Sequence, residues 1–415
     1  MQTQLADFIA DTPRGREADA ILRSCVHCGF CTATCPTYQL LGDEDDGPRG
    51  RIYLIKSVLE GNEASALTQL HLDRCLTCRA CETTCPSGVN YHRLLDIGRD
   101  EVEKQVPRSL FQRAVRQLLL TIMPRRRLFS PLMKTGQYLR PIMPAVLKEK
   151  IPPRSAVRPL PPARQHRRKM LLLEGCVQPA MAPNINAATA RVLNAIGISL
   201  QPTPGAGCCG ALRQHLNDQD HARSDIRRNI DAWWPALDAG AEAVVINTSG
   251  CAPQVKDYTT LLADDPHYRA KAETVSRSSF DIAEILQREQ EALLAKLASS
   301  KSPWRGRKVA FQSPCTLQHG QGITGVVERL LLAAGCELVA VADGHLCCGS
   351  AGTYSIFQPA LSRQLRTNKV SALTAAQPAV IATANIGCMS HLQPALDIPV
   401  RHWIEIIDEA LTGPA

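Results

Sequence analysis

Two stretches near the start of the chain, "CVHCGFCTATCP" and "CLTCRACETTCP", repeat one arrangement of four cysteines before a proline. Thiolates are the usual ligands of iron–sulfur clusters, and the spacing C-x2-C-x2-C-x3-C-P is typical of ferredoxins with two 4Fe–4S clusters. In such chains the fourth cysteine of each run binds the other cluster. We therefore predict one cluster on Cys25, Cys28, Cys31 and Cys85, and a second on Cys75, Cys78, Cys81 and Cys35.

Zinc is the alternative occupant of these two runs. Structural zinc sites usually combine two short C-x2-C units, whereas here a run of four cysteines occurs twice, which favours iron–sulfur. Two neighbouring clusters in different surroundings relay single electrons and do not turn over a substrate. The chain shows neither a flavin fingerprint nor a poised general base, so we predict no catalytic residue in it.

A second group of eight cysteines recurs in the back of the chain at a fixed spacing. Each half has one cysteine, then 31 intervening residues, then a Cys-Cys-Gly (CCG) turn, then a later cysteine. Matching cysteines are offset by 139, 139, 139 and 137 residues, which indicates a duplication. We predict metal ligation by Cys176, Cys208, Cys209 and Cys251 in the first half and by Cys315, Cys347, Cys348 and Cys388 in the second.

Metal ligation explains the CCG turns better than the alternatives. Neighbouring cysteines form a strained disulfide, and inert packing would not fix the spacing. Gly210 and Gly349 relax the backbone, so that two successive thiolates can face one site. A redox dithiol remains the third interpretation. Four cysteines alone do not decide between iron–sulfur and zinc.

The elements around the cysteines predict two kinds of domain. In front, "RGRIYLIKSVLEG", "ASALTQLHLDRC" and "GVNYHRLLDIGRDEVEKQV" have helical periodicity. In each back half, apolar strands such as "KMLLLEGC" and "RKVAFQSPC" alternate with helices, which predicts parallel α/β units with the cysteines at the carboxyl ends of strands. The predicted fold is a multidomain α+β chain. It comprises an all-helical two-cluster ferredoxin domain (1–106), a basic proline-rich linker (107–169) and two α/β CCG domains (170–300 and 301–415).

The charge of the chain is concentrated in the linker. The formal net charge is +8, yet residues 124–169 hold 13 Lys or Arg and one acidic residue, Glu149. The many prolines predict an irregular, solvated segment, and the functional alternative is contact with an acidic partner or an anionic membrane. Nucleic acid is not expected, because no recognition motif accompanies the charge. No apolar run approaches the roughly 18 residues of a membrane span, and the start lacks a basic signal region. We expect a cytoplasmic protein, peripheral on the inner membrane.

The whole chain resembles a known family. The stretches "CVHCGFCTATCPTYQLLGDEDDGPRGRIYLIK", "HLCCGSAGTYSIFQPALSRQLRTNKVSAL" and "VRHWIEIIDEAL" resemble the iron–sulfur subunit of bacterial glycolate oxidase. The two back halves are similar to CCG domains of the heterodisulfide-reductase type. This resemblance implies an electron-transfer subunit. It would pass electrons from flavoprotein subunits, which oxidise glycolate to glyoxylate, towards a quinone-level acceptor.

Other functions fit the same pattern. The CCG region could itself reduce a disulfide or a quinone, or could be a zinc-stabilised docking module. The chain could also serve a lactate or glycerol-3-phosphate dehydrogenase. One departure concerns the CCG sites: the family pattern has a fifth cysteine per half, where this chain has Thr248 and Asn385. A 4Fe–4S cluster, a mononuclear metal and no metal all remain open there. Arg49 and Arg51 of "GPRGR" either neutralise the clusters or cap a surface turn.

Overall fold

A computed structural model of the chain describes residues 1–159 and 166–413. Residues 160–165 of the predicted linker and 414–415 of the predicted second CCG domain lie outside the described residues. The chain divides into two compact units. The first comprises Met1–Gln117, Gln214–Asp218 and His345–Lys369, and the second comprises Leu118–Arg213, Gln219–Gly344 and Val370–Ala415.

The front of the chain is helical, which confirms the prediction. Its helices are Asp7–Ala10, Pro13–Ser24, Pro36–Leu41, Pro48–Leu59, Ala66–Asp73, Ala80–Thr84 and Tyr91–Gln105, with 3-10 turns at Phe30–Thr32 and Glu44–Asp46. Three of them begin with proline, whose fixed φ suits a first helical position. Helices Pro48–Leu59 and Tyr91–Gln105 approach closely, because a Cβ on Gly98 would lie 2.5 Å from Ile55. This packing gives the two cysteine runs a rigid support.

The back of the chain contains two four-stranded parallel sheets, as the alternation of strands and helices predicted. The strands are β1 (Arg168–Leu172), β2 (Ile198–Pro202), β3 (Val244–Ile246), β4 (Ser279–Asp281), β5 (Lys308–Gln312), β6 (Glu337–Val339), β7 (Val380–Thr383) and β8 (Val400–His402). Their orders are β2-β1-β3-β4 and β6-β5-β7-β8. In register, Met170 faces Leu200 and Leu171 faces Val244 in the first sheet, while Ala310 faces Ile381 in the second. The equal strand orders support the inferred duplication.

Helices alternate with the strands along both halves of the chain. Those of the first half are Gln178–Met181, Asn184–Ala195, Ala211–His215, Gln219–Asp238, Ala252–Lys256, Tyr258–Leu261, Arg269–Arg277, Ile282–Arg288 and Gln290–Ala298. Those of the second half are Cys315–Gln318, Val326–Ala333, Tyr354–Phe357, Pro359–Thr374, Ile386–Leu392 and Trp403–Thr412, with a 3-10 turn at Gln393–Ala395. One hydrophobic core includes residues of both halves, among them Val192, Ile282, Val309 and Trp403. The two sheets are therefore parts of one unit.

A buried ion pair joins the helices of the two halves. Arg191 donates hydrogen bonds from Nε and Nη2 to the carboxylate of Asp408 at 2.7–3.0 Å. Asn184 Nδ2 donates to Glu405 Oε1 at 2.7 Å between the same two helices. Removing one partner of such a buried pair costs about 3–5 kcal/mol.

The structure differs from the sequence predictions in two respects. The prediction of an irregular linker was wrong for much of the segment: Leu110–Ile122, Arg126–Leu139 and Ala145–Lys148 are helices, with a 3-10 turn at Arg140–Ile142. Pro131 lies inside helix Arg126–Leu139, while Pro107 and Pro124 precede it and the other prolines of the predicted linker follow it in the sequence. Strands β4 and β8 were not predicted. Each is only three residues long and ends in a polar residue, so neither shows the apolar alternation that indicates a strand. In the described part of the chain, no helix is both long and apolar enough to cross a membrane.

Candidate metal centres

The two front runs share an unusual backbone. His27 and Gly29 in the first run, and Thr77 and Arg79 in the second, all have positive φ, between 52° and 85°. For residues other than glycine this left-handed conformation is strained, and such strain concentrates at functional sites. It turns amide groups towards the sulfurs: the Thr77 N–H donates to Cys75 Sγ at 3.4 Å. The same geometry 50 residues apart indicates that both runs are folded for the same task.

The first predicted set of cysteines lines one cavity. Cys25, Cys28, Cys31 and Cys85 all border it, and Cys81 reaches it as well. Burial raises the pKa of Cys31 to about 11, with Cys25, Cys85 and Cys28 acting in the same direction. A thiol in this position resists ionisation unless a cation compensates the charge. We call these four cysteines the first thiol set.

The second predicted set is also brought together. Burial raises the pKa of Cys81 well above its usual value, and Cys78, Cys75 and Cys35 add to the shift. The two runs meet just before their fourth cysteines, where Thr84 Oγ1 donates to Thr34 Oγ1 at 3.1 Å. This contact explains how the fourth cysteine of each run reaches the other run. We call Cys35, Cys75, Cys78 and Cys81 the second thiol set.

Arg51, left undecided by the sequence, is buried beside the second thiol set. It is 1% exposed and donates from Nη2 to Thr37 Oγ1 at 3.2 Å. The Thr37 hydroxyl lies 3.3 Å from Cys35 Sγ. Burial lowers the pKa of Arg51, but the thiols of Cys75 and Cys35, together with other acidic neighbours, raise it by more. Arg51 therefore neutralises charge in the core and does not cap a surface turn.

A buried carboxylate balances part of this charge. Asp46 is fully buried and accepts hydrogen bonds from Arg51 at 3.4 Å and from Arg74 at 2.7 Å. His71 Nδ1 lies 3.1 Å from the same carboxylate. The Asp43 carboxylate also lies within 4.8 Å of Asp46 and His71, so that two carboxylates accompany the two arginines beside the second thiol set.

In the first CCG half, the four predicted cysteines form one cluster at the carboxyl end of the sheet. Cys208 shares hydrogen bonds with Cys176 and with Cys209, and Cys209 shares one with Cys251. These thiol contacts lower the pKa of Cys208 well below its usual value, helped by the Gly210 N–H and the Arg228 guanidinium against the effect of burial. We call Cys176, Cys208, Cys209 and Cys251 the third thiol set.

Two buried residues that the sequence analysis missed hold this CCG turn. Asn229 accepts from the Gly207 N–H at 2.8 Å and donates to the Cys208 carbonyl at 2.7 Å. The Tyr258 hydroxyl donates to the Cys209 carbonyl at 2.9 Å and accepts from Asn229 at 3.1 Å. The duplication does repeat Asn229 as Asn368, 139 residues later, although Asn368 is exposed, whereas Tyr258 has Asp397 at the same offset.

The CCG turn of the second half has the same local geometry. The Gly349 N–H donates to Cys347 Sγ at 3.4 Å, as the Gly210 N–H does to Cys208 Sγ at 3.5 Å. Both glycines have positive φ, and a Cβ on Gly349 would lie 2.6 Å from the Ser362 carbonyl oxygen. The glycine of each CCG motif is therefore required by the turn.

The four predicted cysteines of the second half belong to different units. Cys347 and Cys348 lie in the segment that belongs to the first unit, together with the two front runs. Cys315 begins a short helix of the second unit, and Cys388 lies in helix Ile386–Leu392 of that unit. Within the first unit, burial raises the pKa of Tyr354, and Cys75 and Cys347 raise it further against the effect of Arg51. Tyr354 is therefore within electrostatic reach of both Cys75 and Cys347.

The residues at the two fifth-cysteine positions have structural partners. Thr248 donates a hydrogen bond to Gln178 Oε1. Asn385 caps helix Ile386–Leu392 by accepting from the Gly387 N–H at 2.7 Å. Neither of these two positions therefore supplies a fifth thiol to the predicted set of its CCG half.

The eight front cysteines fit a pair of 4Fe–4S clusters. They supply thiol donors only, in two sets of four, with burial that demands a compensating cation and with backbone amides turned towards sulfur. The third thiol set also fits a metal, because its four thiols lie together and the Gly210 N–H is turned towards Cys208 Sγ. No disulfide joins any of the seventeen cysteines, all of which lie in the described residues.

Comparison with known proteins agrees with this geometry. Residues 21–89 match the family model described as a 4Fe-4S dicluster domain, and residues 170–256 and 309–393 match the model described as a cysteine-rich domain. The chain is 56% identical to the glycolate oxidase iron-sulfur subunit of Escherichia coli (strain K12), over 99% of both chains.

More distant relatives share parts of the same pattern. The probable glycolate oxidase iron-sulfur subunit of Bacillus subtilis (strain 168) is 31% identical over 91% of this chain and 89% of its own. Lactate utilization protein A of Bacillus velezensis is 25% identical over 58% of this chain and 99% of its own. Because both domain types are present and the similarity spans the whole length, the chain belongs to the family of glycolate oxidase iron–sulfur subunits, which carry 4Fe–4S clusters.

Proposed function

We propose that this chain is the electron-transfer subunit of a glycolate dehydrogenase complex. It accepts electrons from flavoprotein subunits that oxidise glycolate to glyoxylate and passes them towards a quinone-level acceptor. The observation that carries the proposal is the pair of thiol sets built by two repeated cysteine runs, each suited to one 4Fe–4S cluster. Bound 4Fe–4S clusters would supply one-electron oxidation and reduction.

The chain's own residues have three tasks in this function. The first and second thiol sets hold the clusters and are the proposed ligands. Arg51, Arg74 and Asp46 fix the charge around the second set. The second CCG turn belongs to the same unit as that set, and Cys75 and Cys347 both raise the pKa of Tyr354, which supports this turn as the proposed continuation beyond the ferredoxin region.

The back half has the role of a further metal-binding and docking region. The third thiol set is the best-built candidate there, because Asn229 and Tyr258 hold both carbonyls of its CCG turn. We propose that it binds a metal, either zinc or a 4Fe–4S cluster. The cysteines Cys315, Cys347, Cys348 and Cys388 are the corresponding proposal for the second half.

The test is a comparison of complexes with and without this chain. The complex is purified anaerobically from its host. Glycolate oxidation is followed with two electron acceptors, an artificial dye that the flavin reduces directly and a short-chain quinone. The complete complex is expected to reduce both acceptors. Flavoprotein subunits without this chain are expected to reduce the dye and to lose most quinone reduction. Quinone reduction of equal rate without this chain, or purification of the chain without any flavoprotein, would contradict the proposal.

A further inference from the structure

Helix Arg126–Leu139, in the second unit, is held on the first CCG half by one of its faces. Phe129 and Gly136 are buried, and a Cβ on Gly136 would lie 2.9 Å from Ile151. Gln137 Nε2 donates to the Ala180 carbonyl at 3.3 Å, and Arg126 pairs with Glu174 at 2.8 Å. We call this helix the strap helix. These contacts of the buried face are sufficient to hold the strap helix on the protein.

A row of exposed leucines runs along the strap helix beside its buried face. Leu128, Leu132 and Leu139 are 44%, 56% and 39% exposed, and Tyr138 and Ile142 are more than 80% exposed. The leucines follow one another at intervals of four and seven residues, which places them on one side of the helix. A contiguous apolar stripe of this kind on a soluble surface marks an interaction site.

The charge beside the stripe indicates which partner covers it. Arg125, Arg127 and Lys134 are exposed along the same helix, and no acidic residue occurs between residues 124 and 148. A helix with a row of exposed leucines and with an exposed tyrosine, Lys and Arg beside that row is suited to the interface of an anionic bilayer. A protein partner would need a matching acidic groove, whereas an anionic lipid surface offers acidic groups and apolar chains together.

We propose that the strap helix seats the chain on the surface of an anionic lipid bilayer, with Leu128, Leu132 and Leu139 inserted at the level of the headgroups. The basic side chains contact lipid phosphates, and the buried face remains on the protein. Attachment therefore combines an apolar part, which salt does not screen, with an electrostatic part, which it does.

This attachment has a consequence for the third thiol set. Glu174 and Ala180, which contact the strap helix, lie on either side of Cys176 in the chain. The strap helix thus holds the Cys176 loop next to the lipid surface, where a lipid-soluble quinone would arrive. This second step rests on the proposed function, whereas the bilayer contact does not.

Vesicle binding tests the apolar part. The full chain, purified anaerobically with its iron, is sedimented with vesicles of phosphatidylcholine containing about one third phosphatidylglycerol. We expect the Leu128→Gln/Leu132→Gln variant to bind about tenfold or more weakly than the wild type, because two inserted leucines are lost. The matched control is Leu294→Gln/Leu332→Gln, whose leucines are 41% and 54% exposed elsewhere and should not affect binding. Equal binding by the wild type and the strap variant would overturn the proposal.

Charge variants test the electrostatic part. Arg125→Gln/Arg127→Gln/Lys134→Gln should weaken binding to anionic vesicles at low salt, while Lys301→Gln/Arg305→Gln/Lys308→Gln, with the same loss of charge, should have little effect. Arg126 is left in place because it pairs with Glu174. Wild-type binding to neutral vesicles that equals binding to anionic ones would refute the anionic-surface assignment.

Two further measurements distinguish bilayer binding from a protein interface and from the proposed function. If the leucine variant binds vesicles normally but no longer co-purifies with flavoprotein, the stripe is a protein interface and the proposal is wrong. Dye-linked glycolate oxidation in solution should be unchanged in the leucine variant. Failure of that assay in the wild-type complex would count against the proposed function alone, because vesicle binding does not depend on it.

Discussion

At the scale of residues, Arg49 and Arg51 occupy different electrostatic environments although one glycine separates them. Arg49 is partly exposed and paired with Glu44 at 2.6 Å, beside the cavity of the first thiol set. Arg51 is buried beside the second set. Gly50 permits this arrangement, since a Cβ there would lie 2.2 Å from the Glu44 carbonyl oxygen. A buried charge acts through a lower effective dielectric than an exposed one.

We therefore expect Arg51 to raise the reduction potential of the centre held by the second thiol set. In Arg51→Gln, the lost positive charge should make that potential more negative by on the order of 60 mV, which is a tenfold change for a one-electron couple. Potentiometric titration followed by electron paramagnetic resonance measures both centres in one sample. Iron content of the variant shows whether the clusters are retained.

Arg49→Gln is the matched control for this experiment. Its exposed side chain is screened by solvent and already paired, so we expect a smaller shift, confined to the centre of the first thiol set. Equal shifts of both centres in Arg51→Gln, or a larger shift in Arg49→Gln, would contradict the proposed ligand assignment as well as the role of Arg51.

At the scale of elements, the sequence predicts the helices and strands whose apolar periodicity, or whose repetition in the second half, extends over enough residues. Helix Tyr91–Gln105 and strand β1 carry periodic apolar residues, and the 139-residue offset placed both CCG turns. The roles of Asn229 and Tyr258 do not follow from periodicity or offset, because their hydrogen bonds depend on how helices pack against the turn. The exposed stripe of the strap helix was likewise hidden within a segment whose prolines suggested irregular structure. Tertiary packing, not local propensity, decided these cases.

Strand β8 is too short to predict, yet its last residue gives a titratable cap. His402 is buried, and its side chain accepts from the Ile404 N–H at 3.3 Å at the start of helix Trp403–Thr412. Burial lowers the pKa of His402 to about 3. The unfolded chain binds a proton at this residue below about pH 6.5, whereas the folded chain does not until about pH 3, so stability falls as pH decreases between these values.

Replacing this cap tests the pH dependence. In His402→Asn the side chain can still cap the helix but does not titrate. Between about pH 7.5 and 5.5, the wild type should lose about 1.4 kcal/mol more unfolding free energy than the variant. Anaerobic urea titrations followed by circular dichroism measure the unfolding free energy of both proteins at both pH values. Comparing the pH-dependent loss in the two proteins cancels the contribution of the other titrating groups. Equal losses in the two proteins would show that His402 is not held neutral in the fold.

At the scale of the whole molecule, metal content distinguishes an electron carrier with an empty back half from one with further centres. The first unit contains two thiol sets fixed by left-handed turns, and the second unit contains a third set with comparable support. In each case a metal cation would offset the cost of ionising several buried thiols together. We therefore propose that the chain binds more metal than the two front clusters account for.

We expect anaerobically purified protein to contain about eight iron atoms from the two front clusters, and additional zinc or iron bound by the third thiol set. Cys208→Ser/Cys209→Ser should remove this additional metal and keep the eight iron atoms and their spectroscopic signals. Cys336→Ser is the control, since this buried cysteine lies in the hydrophobic core outside the proposed sets. Elemental analysis with acid-labile sulfide gives the stoichiometry. Wild-type protein with about eight iron atoms and no other metal would make the third thiol set a dithiol or a packing feature.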